Sequence, residues 1–286
     1  MRWLLALIVQ FASFAAVAQD TVHFPSFDAG DGRPATELTA YLFKPNRSGP
    51  MPAVVFLHGC GGLISSISHR IVSREMDWAG KLNAQGYAVL MVDSLNPRGS
   101  GEICSTSGFK NWLYLRRPAD AYGALAWLQQ QPFVMKDRIA EIGWSNGGGA
   151  VLFSIGKSHG RPADFSGPDF RAAIAFYPGS CSEQRMGSDW TPSIPLMILI
   201  GGKDVWTPAL PCKALVEGAS ARGAPITLQV YPDAWHDFDW PNLKRKELTA
   251  YTMRDGTVPI TGEDPAAHAD AIQRVQGFLA QHIALH

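Results

Sequence analysis

The pattern Gly-x-Ser-x-Gly occurs twice in this chain, as Gly143-Trp144-Ser145-Asn146-Gly147 and as Gly156-Lys157-Ser158-His159-Gly160. A serine in such a setting becomes a nucleophile for acyl transfer when a sharp strand-to-helix turn lifts its hydroxyl above the backbone. The pattern alone is a weak signal, so the flanking residues decide. The first copy follows the apolar run Arg138–Ile142 and opens the small-residue helix expected over Asn146–Ile155. The second follows that helix and leads into the polar loop Arg161–Asp169, so its glycines read as a helix cap and a loop. Ser145 is the candidate nucleophile and Ser158 is set aside. The competing reading of Ser145, a serine that only caps the next helix, lacks any account of the alternating elements around it.

A serine hydroxyl is a poor nucleophile unless a histidine takes its proton, and that ring needs an acid to fix its tautomer. On a strand–helix scaffold these groups follow in the order serine, acid, histidine, each just past a strand end. His236, in Tyr231-Pro232-Asp233-Ala234-Trp235-His236, follows the strand expected over Ile226–Tyr231. His58 precedes the serine, and His268 and His282 fall on the last helix. The run Pro195–Ile200 ends in Gly201-Gly202-Lys203-Asp204, which makes Asp204 the acid. Asp233, Asp237 and Asp239 are reserves, on the histidine's own loop, where an orienting contact is harder to form.

The negative charge that develops on the carbonyl oxygen needs preorganised donors, each worth about 3 kcal/mol. The glycine-rich turn His58-Gly59-Cys60-Gly61-Gly62 ends the run Ala53–Leu57. The backbone amides of Cys60 and Asn146 are assigned to this oxyanion hole. Trp144, Trp206 and Trp235 adjoin the catalytic positions and are candidates to line a substrate site, with ordinary core packing as the alternative.

These residues demand a scaffold, and the rest of the chain supplies one. A leading pair, Thr21–Phe27 and Thr36–Phe43, alternates and reads as exposed antiparallel strands. Buried strands are then expected at Ala53–Leu57, Tyr87–Val92, Arg138–Trp144, Ala172–Tyr177, Pro195–Ile200 and Ile226–Tyr231. Helices are expected at Ser73–Gln85, Pro118–Gln131, Ala209–Ala221 and Pro265–Ile283. The alternation predicts an α/β fold: a doubly wound, mostly parallel sheet with helices on both faces. Ligands then bind beyond the carboxyl ends of the strands. The loops Leu95–Trp112 and Asp237–Asp264 are expected to shape the pocket, the second as a flap.

Met1-Arg2, the apolar stretch Trp3–Val17 and the small-x-small Ala16-Val17-Ala18 predict a signal peptide over residues 1–18, cut before Gln19. The product would then be periplasmic or secreted, with no membrane association after cleavage. Residues 19–286 carry no linker or repeat and read as one domain. The 25 lysines and arginines balance 25 acidic residues, so no global field favours nucleic acid. Four cysteines, with no C-x-x-C spacing, fit disulfides in an oxidising compartment better than a metal site. Cys60–Cys104 and Cys181–Cys212 are the expected pairs, since each would link neighbouring strand-end loops. Neither a metal nor another cofactor is expected, and the oligomeric state is not legible.

The motifs FLHGCGG, YAVLMVDSLNPRG, GWSNGGG, ILIGGKDVWTP and YPDAWHDFDWP together resemble the dienelactone hydrolase family, in order and over most of the chain. The resemblance implies a metal-free α/β-hydrolase acting on small ester or lactone substrates. The family's triad falls on Ser145, Asp204 and His236. Two positions depart from the founding members, which use a cysteine nucleophile where this chain has Ser145 and a glutamate where it has Gly59. A general carboxylesterase is therefore expected. An acyltransferase or a peptidase on the same triad are alternatives, and a non-catalytic binding protein on this scaffold would require loss of a triad member.

Overall fold

The computed structural model describes residues 19–30, 32–105, 110–157 and 160–284. The expected signal segment and Ser158 lie outside them. The scaffold is an eight-stranded sheet in the order β1-β2-β4-β3-β5-β6-β7-β8. Its strands are β1 (Gln19–Pro25), β2 (Glu37–Phe43), β3 (Met51–Leu57), β4 (Ala88–Asp93), β5 (Val134–Trp144), β6 (Ala172–Phe176), β7 (Leu196–Gly201) and β8 (Ile226–Tyr231). β1 and β2 run antiparallel to their neighbours, and every pairing from β4 to β8 is parallel. This is the α/β-hydrolase arrangement. The leading pair is less exposed than its alternation suggests. β2 lies between β1 and β4, and Leu38, Ala40, Leu42 and Phe43 are buried.

All residues of β3, β4, β6 and β7 are buried. Both sheet faces are therefore covered, which is why these strands read as unbroken apolar runs. The covering helices are α1 (Ser73–Ala84), α2 (Asn111–Tyr114), α3 (Arg117–Gln129), α4 (Asn146–Ser154), α5 (Glu183–Met186), α6 (Ala209–Ala221) and α7 (Pro265–Ile283). α1 stops before Gly86, whose φ of 91° suits glycine. Asp264 caps α7 by accepting from the backbone N–H groups of Ala266 and Ala267.

The 237–264 segment is tethered rather than loose. Two short strands, β9 (Lys246–Glu247) and β10 (Ile260–Thr261), pair antiparallel within it. The Thr261 hydroxyl and the Gly262 amide both donate to the carbonyl of His236. The structure joins Cys60 to Cys104 and Cys181 to Cys212, with S–S distances of 2.03 and 2.08 Å. No helix among the described residues is long and apolar enough to cross a membrane.

Candidate active site

Ser145 stands between β5 and α4 with φ 53° and ψ −113°, a backbone conformation that an L-residue adopts only under constraint. The surroundings supply that constraint. The Ser145 N–H donates to Phe176 O at 2.9 Å, and its carbonyl accepts from Gly149 and Gly179. The flanking glycines are sterically required. A Cβ on Gly143 would lie 2.3 Å from Gly147 O, and one on Gly147 would lie 1.9 Å from Leu57 O. The turn therefore closes only with bare backbone at both positions, and it presses α4 against the end of β3.

Asp204 follows β7 and His236 follows β8, two neighbouring strands. Asp204 Oδ2 lies 2.6 Å from His236 Nδ1. Its other oxygen accepts from the amides of Trp206 at 2.8 Å and Thr207 at 2.9 Å, and the Thr207 hydroxyl donates to Oδ2. The carboxylate is thus fixed before it meets the ring. Burial works against a charged His236, but the carboxylates of Asp204 and Asp237 outweigh it, so its pKa is raised. With Nδ1 committed to Asp204, Nε2 is the nitrogen left for chemistry.

The reserve carboxylates are committed elsewhere. Asp233 pairs with Lys203 at the surface, at 2.7 Å. Asp237 binds Arg74 at 2.8 Å and accepts from the Thr261 hydroxyl. Asp239 is fully buried and accepts from Trp78 Nε1, Trp144 Nε1 and Tyr177 Oη. It braces the histidine loop from below. His58 is also a structural group. Its Nε2 accepts from the Ser94 amide, so Nδ1 carries the proton donated to Gly59 O at 2.7 Å.

Ser145, His236, Cys60 and Trp206 line one cavity of about 280 Å³. Its outer wall comes from the 237–264 segment, including Trp240, Leu243, Leu248 and Tyr251. Trp206 stacks on Tyr251 with centroids 5.6 Å apart. The other two tryptophans expected at a substrate site lie elsewhere. Trp144 is fully buried and stacks on Phe176, because its ring points from the strand end into the core. Trp235 does not line this cavity, and the Arg245 guanidinium lies over its ring at 4.6 Å. Among the described residues no group of histidine, cysteine and acidic side chains is arranged to hold a metal ion.

Two buried arginines were not singled out from the sequence. Arg117, on α3, donates to Asn146 Oδ1 at 2.5 Å and to His58 O at 2.7 Å. It ties the glycine-rich turn after β3 to the first residue of α4, the two places that carry Cys60 and Asn146. Arg74, on α1, contacts Tyr177, Glu75 and Asp237 at once. Nothing in their local sequence distinguishes them from surface arginines at a helix start; only the fold brings them inward.

The chain matches the model of the dienelactone hydrolase family over residues 38–283. It is 26% identical over 252 residues to dipeptidyl aminopeptidase BIII of Pseudoxanthomonas mexicana, covering 75% of this chain but 35% of that protein. Among solved structures it resembles a dienelactone hydrolase (putative) from Klebsiella pneumoniae subsp. pneumoniae, with a TM-score of 0.63 and 19% identity. That likeness covers 93% of this chain and 100% of the other. It also resembles Thermogutta terrifontis esterase 2, phosphoramylated by tabun, with a TM-score of 0.61, 17% identity and coverage of 90% and 93%.

Proposed function

The chain belongs to the dienelactone hydrolase family of ester-bond hydrolases, and we propose that it is an exported serine hydrolase that cleaves carboxylic esters or lactones through an acyl-enzyme. Ser145 Oγ attacks the carbonyl carbon while His236 Nε2 takes the hydroxyl proton. The amides of Cys60 and Asn146 hold the oxyanion, helped by the positive end of α4. As the tetrahedral intermediate collapses, the bond to the leaving oxygen breaks and His236 returns the proton to it. Water repeats the sequence on the acyl-enzyme, releasing the acid and restoring Ser145. Asp204 holds the imidazole in position and stabilises its charged form.

The observation that carries this reading is a strained serine sharing a cavity with a histidine already bonded to a buried carboxylate. At about 280 Å³ the cavity falls just below the usual range for ligand sites, which favours compact esters. Two disulfides and the apolar N-terminal stretch support export. The test is release of 4-nitrophenolate from 4-nitrophenyl acetate and butyrate and ring opening of a small lactone. Turnover by the wild type and its loss in Ser145→Ala are expected; turnover that survives in Ser145→Ala contradicts the proposal.

A peptidase is the second reading, favoured by the likeness to the dipeptidyl aminopeptidase. The chain spans about a third of that relative's length. Hydrolysis of dipeptide 4-nitroanilides at rates matching the esters would favour it.

A further inference from the structure

The catalytic cavity is walled by apolar side chains whose burial is incomplete. Val72, Trp206, Trp240, Leu243, Leu248 and Tyr251 all line it, and each is only half-buried. On an irregular segment such side chains ordinarily close on one another as a small satellite core. Here they face a space shared with Ser145 and His236, which a ligand of matching shape would fill.

Three of the six are aromatic, and each ring has a support. Trp206, on the loop after β7, stacks on Tyr251 with an interplanar angle of 20° and centroids 5.6 Å apart. Trp240 donates from Nε1 to Ser73 Oγ at 2.7 Å, and the Arg74 guanidinium lies 5.1 Å from its ring centroid. The wall therefore offers flat faces held from separate elements. Its cations are already satisfied: Arg74 is bonded to Glu75 and Asp237, and Lys246 is exposed to water.

The reaction decides which half of an ester meets these rings. His236 Nε2 must hand a proton to the leaving oxygen, so the alcohol half belongs in the cavity that His236 lines. Ser145 also opens on a hollow of about 220 Å³ beside Asn146, which His236 does not line; the acyl half extends there. An apolar cavity of roughly 150 Å³ is enough to take up benzene. At about 280 Å³, this one has room for a single ring, a short linker and the ester group. A ring set against fixed aromatic faces also gains stacked or edge contacts beyond those of burial alone.

We propose that the preferred substrates are esters whose alcohol half carries one aromatic ring, a phenol or a benzylic alcohol, with Trp206, Trp240 and Tyr251 as the residues that select it. The inference rests on Ser145 as the nucleophile. The acyl group passes from the aromatic alcohol to Ser145 and then to water. The alcohol leaves with the proton from His236, and the acid follows.

The test compares benzyl acetate with cyclohexylmethyl acetate. The two share an acyl group and a six-membered ring, and their leaving alcohols are of similar basicity, so the comparison isolates the flat aromatic face. The quantity read is the ratio of their kcat/KM values within each protein, which does not depend on how much of a preparation is active. The wild type should favour the benzyl ester roughly 3- to 10-fold, the scale of an aromatic pair. Tyr251→Leu and Trp240→Leu, which keep apolar bulk but remove a ring, should each bring the ratio toward one. Benzyl alcohol should also inhibit the wild type at lower concentration than cyclohexylmethanol, a measurement that needs no variant to fold. A wild-type ratio of one or less, equal inhibition by the two alcohols, or a preference that both variants keep, overturns the inference while the hydrolase reading stands. So does a wild type that a fluorophosphonate labels but that turns over neither ester. Failure of turnover and of labelling together overturns both.

Discussion

Asp204 Oδ2 and His236 Nδ1 lie 2.6 Å apart although 32 residues separate them in the chain. β7 and β8 pair in parallel register, with Gly201 opposite Tyr231, so the loops leaving their carboxyl ends emerge side by side. Three backbone or hydroxyl donors hold the carboxylate. Asp204→Asn should therefore lower kcat on 4-nitrophenyl acetate by roughly 10³- to 10⁴-fold, the scale of an orienting acid in such triads. Asp233→Asn, at the surface, should change it little. Equal losses in the two variants would show that Asp204 is not the orienting acid.

The acid limb of the pH–rate profile follows from the same pair. In the proposed mechanism His236 must be neutral to accept the serine proton, and its pKa is raised above 6.5 because Asp204 and Asp237 outweigh burial. A raised pKa means that the protonated, inactive form persists to higher pH. Activity should thus fall on acidification at a pH above the ordinary histidine range. Asp237→Asn removes one of the two charges and should move the limb to lower pH. A limb that stays in place or rises in Asp237→Asn would contradict this assignment.

Arg117 is expected to act as a positioning residue. It bridges the His58 carbonyl and the Asn146 side chain, and so would set the spacing of the two proposed oxyanion donors, the amides of Cys60 and Asn146. Arg117→Met should cost about 10- to 100-fold in kcat, somewhat less than loss of a donor itself, with a smaller change in KM. Arg117→Lys should recover part of it. A variant that only lowers Tm, with kcat intact, would give Arg117 a purely structural role.

Much of this was legible in the chain. The helices Ala209–Ala221 and Pro265–Ile283 and the strand Ile226–Tyr231 fall to the residue where their periodicity and flanking breakers place them. Local signals suffice there, because an amphipathic face or a buried run is written in consecutive residues. The parts that were not legible depend on distant contacts. Trp144 adjoins the serine in sequence, yet its ring packs on Phe176 and bonds Asp239; only sheet geometry fixes which way a strand-end side chain turns. Arg74 and Arg117 became visible only once α1 and α3 were placed over the sheet. β9 and β10 are two residues each, too short for any periodic pattern.

The Cys60–Cys104 bridge joins the glycine-rich turn to the loop after β4, and Ile103 N donates to Cys60 O at 2.9 Å beside it. Cys104→Ser should lower stability by about 2–4 kcal/mol, as for loss of a native bridge. It should also lower kcat if, as proposed, the Cys60 amide holds the oxyanion. Denaturant unfolding and ester kinetics on the same preparation check both. An unchanged kcat would place the oxyanion donor elsewhere.

The central claim is that Ser145 is the nucleophile, and covalent capture tests it most directly. A fluorophosphonate probe followed by peptide mass mapping of the wild type and of Ser145→Ala reads the site of attack. The account predicts one modified peptide, containing Gly143–Gly147 with the adduct on Ser145, and no adduct in Ser145→Ala. No labelling of folded wild type, or labelling that persists in Ser145→Ala, would contradict it.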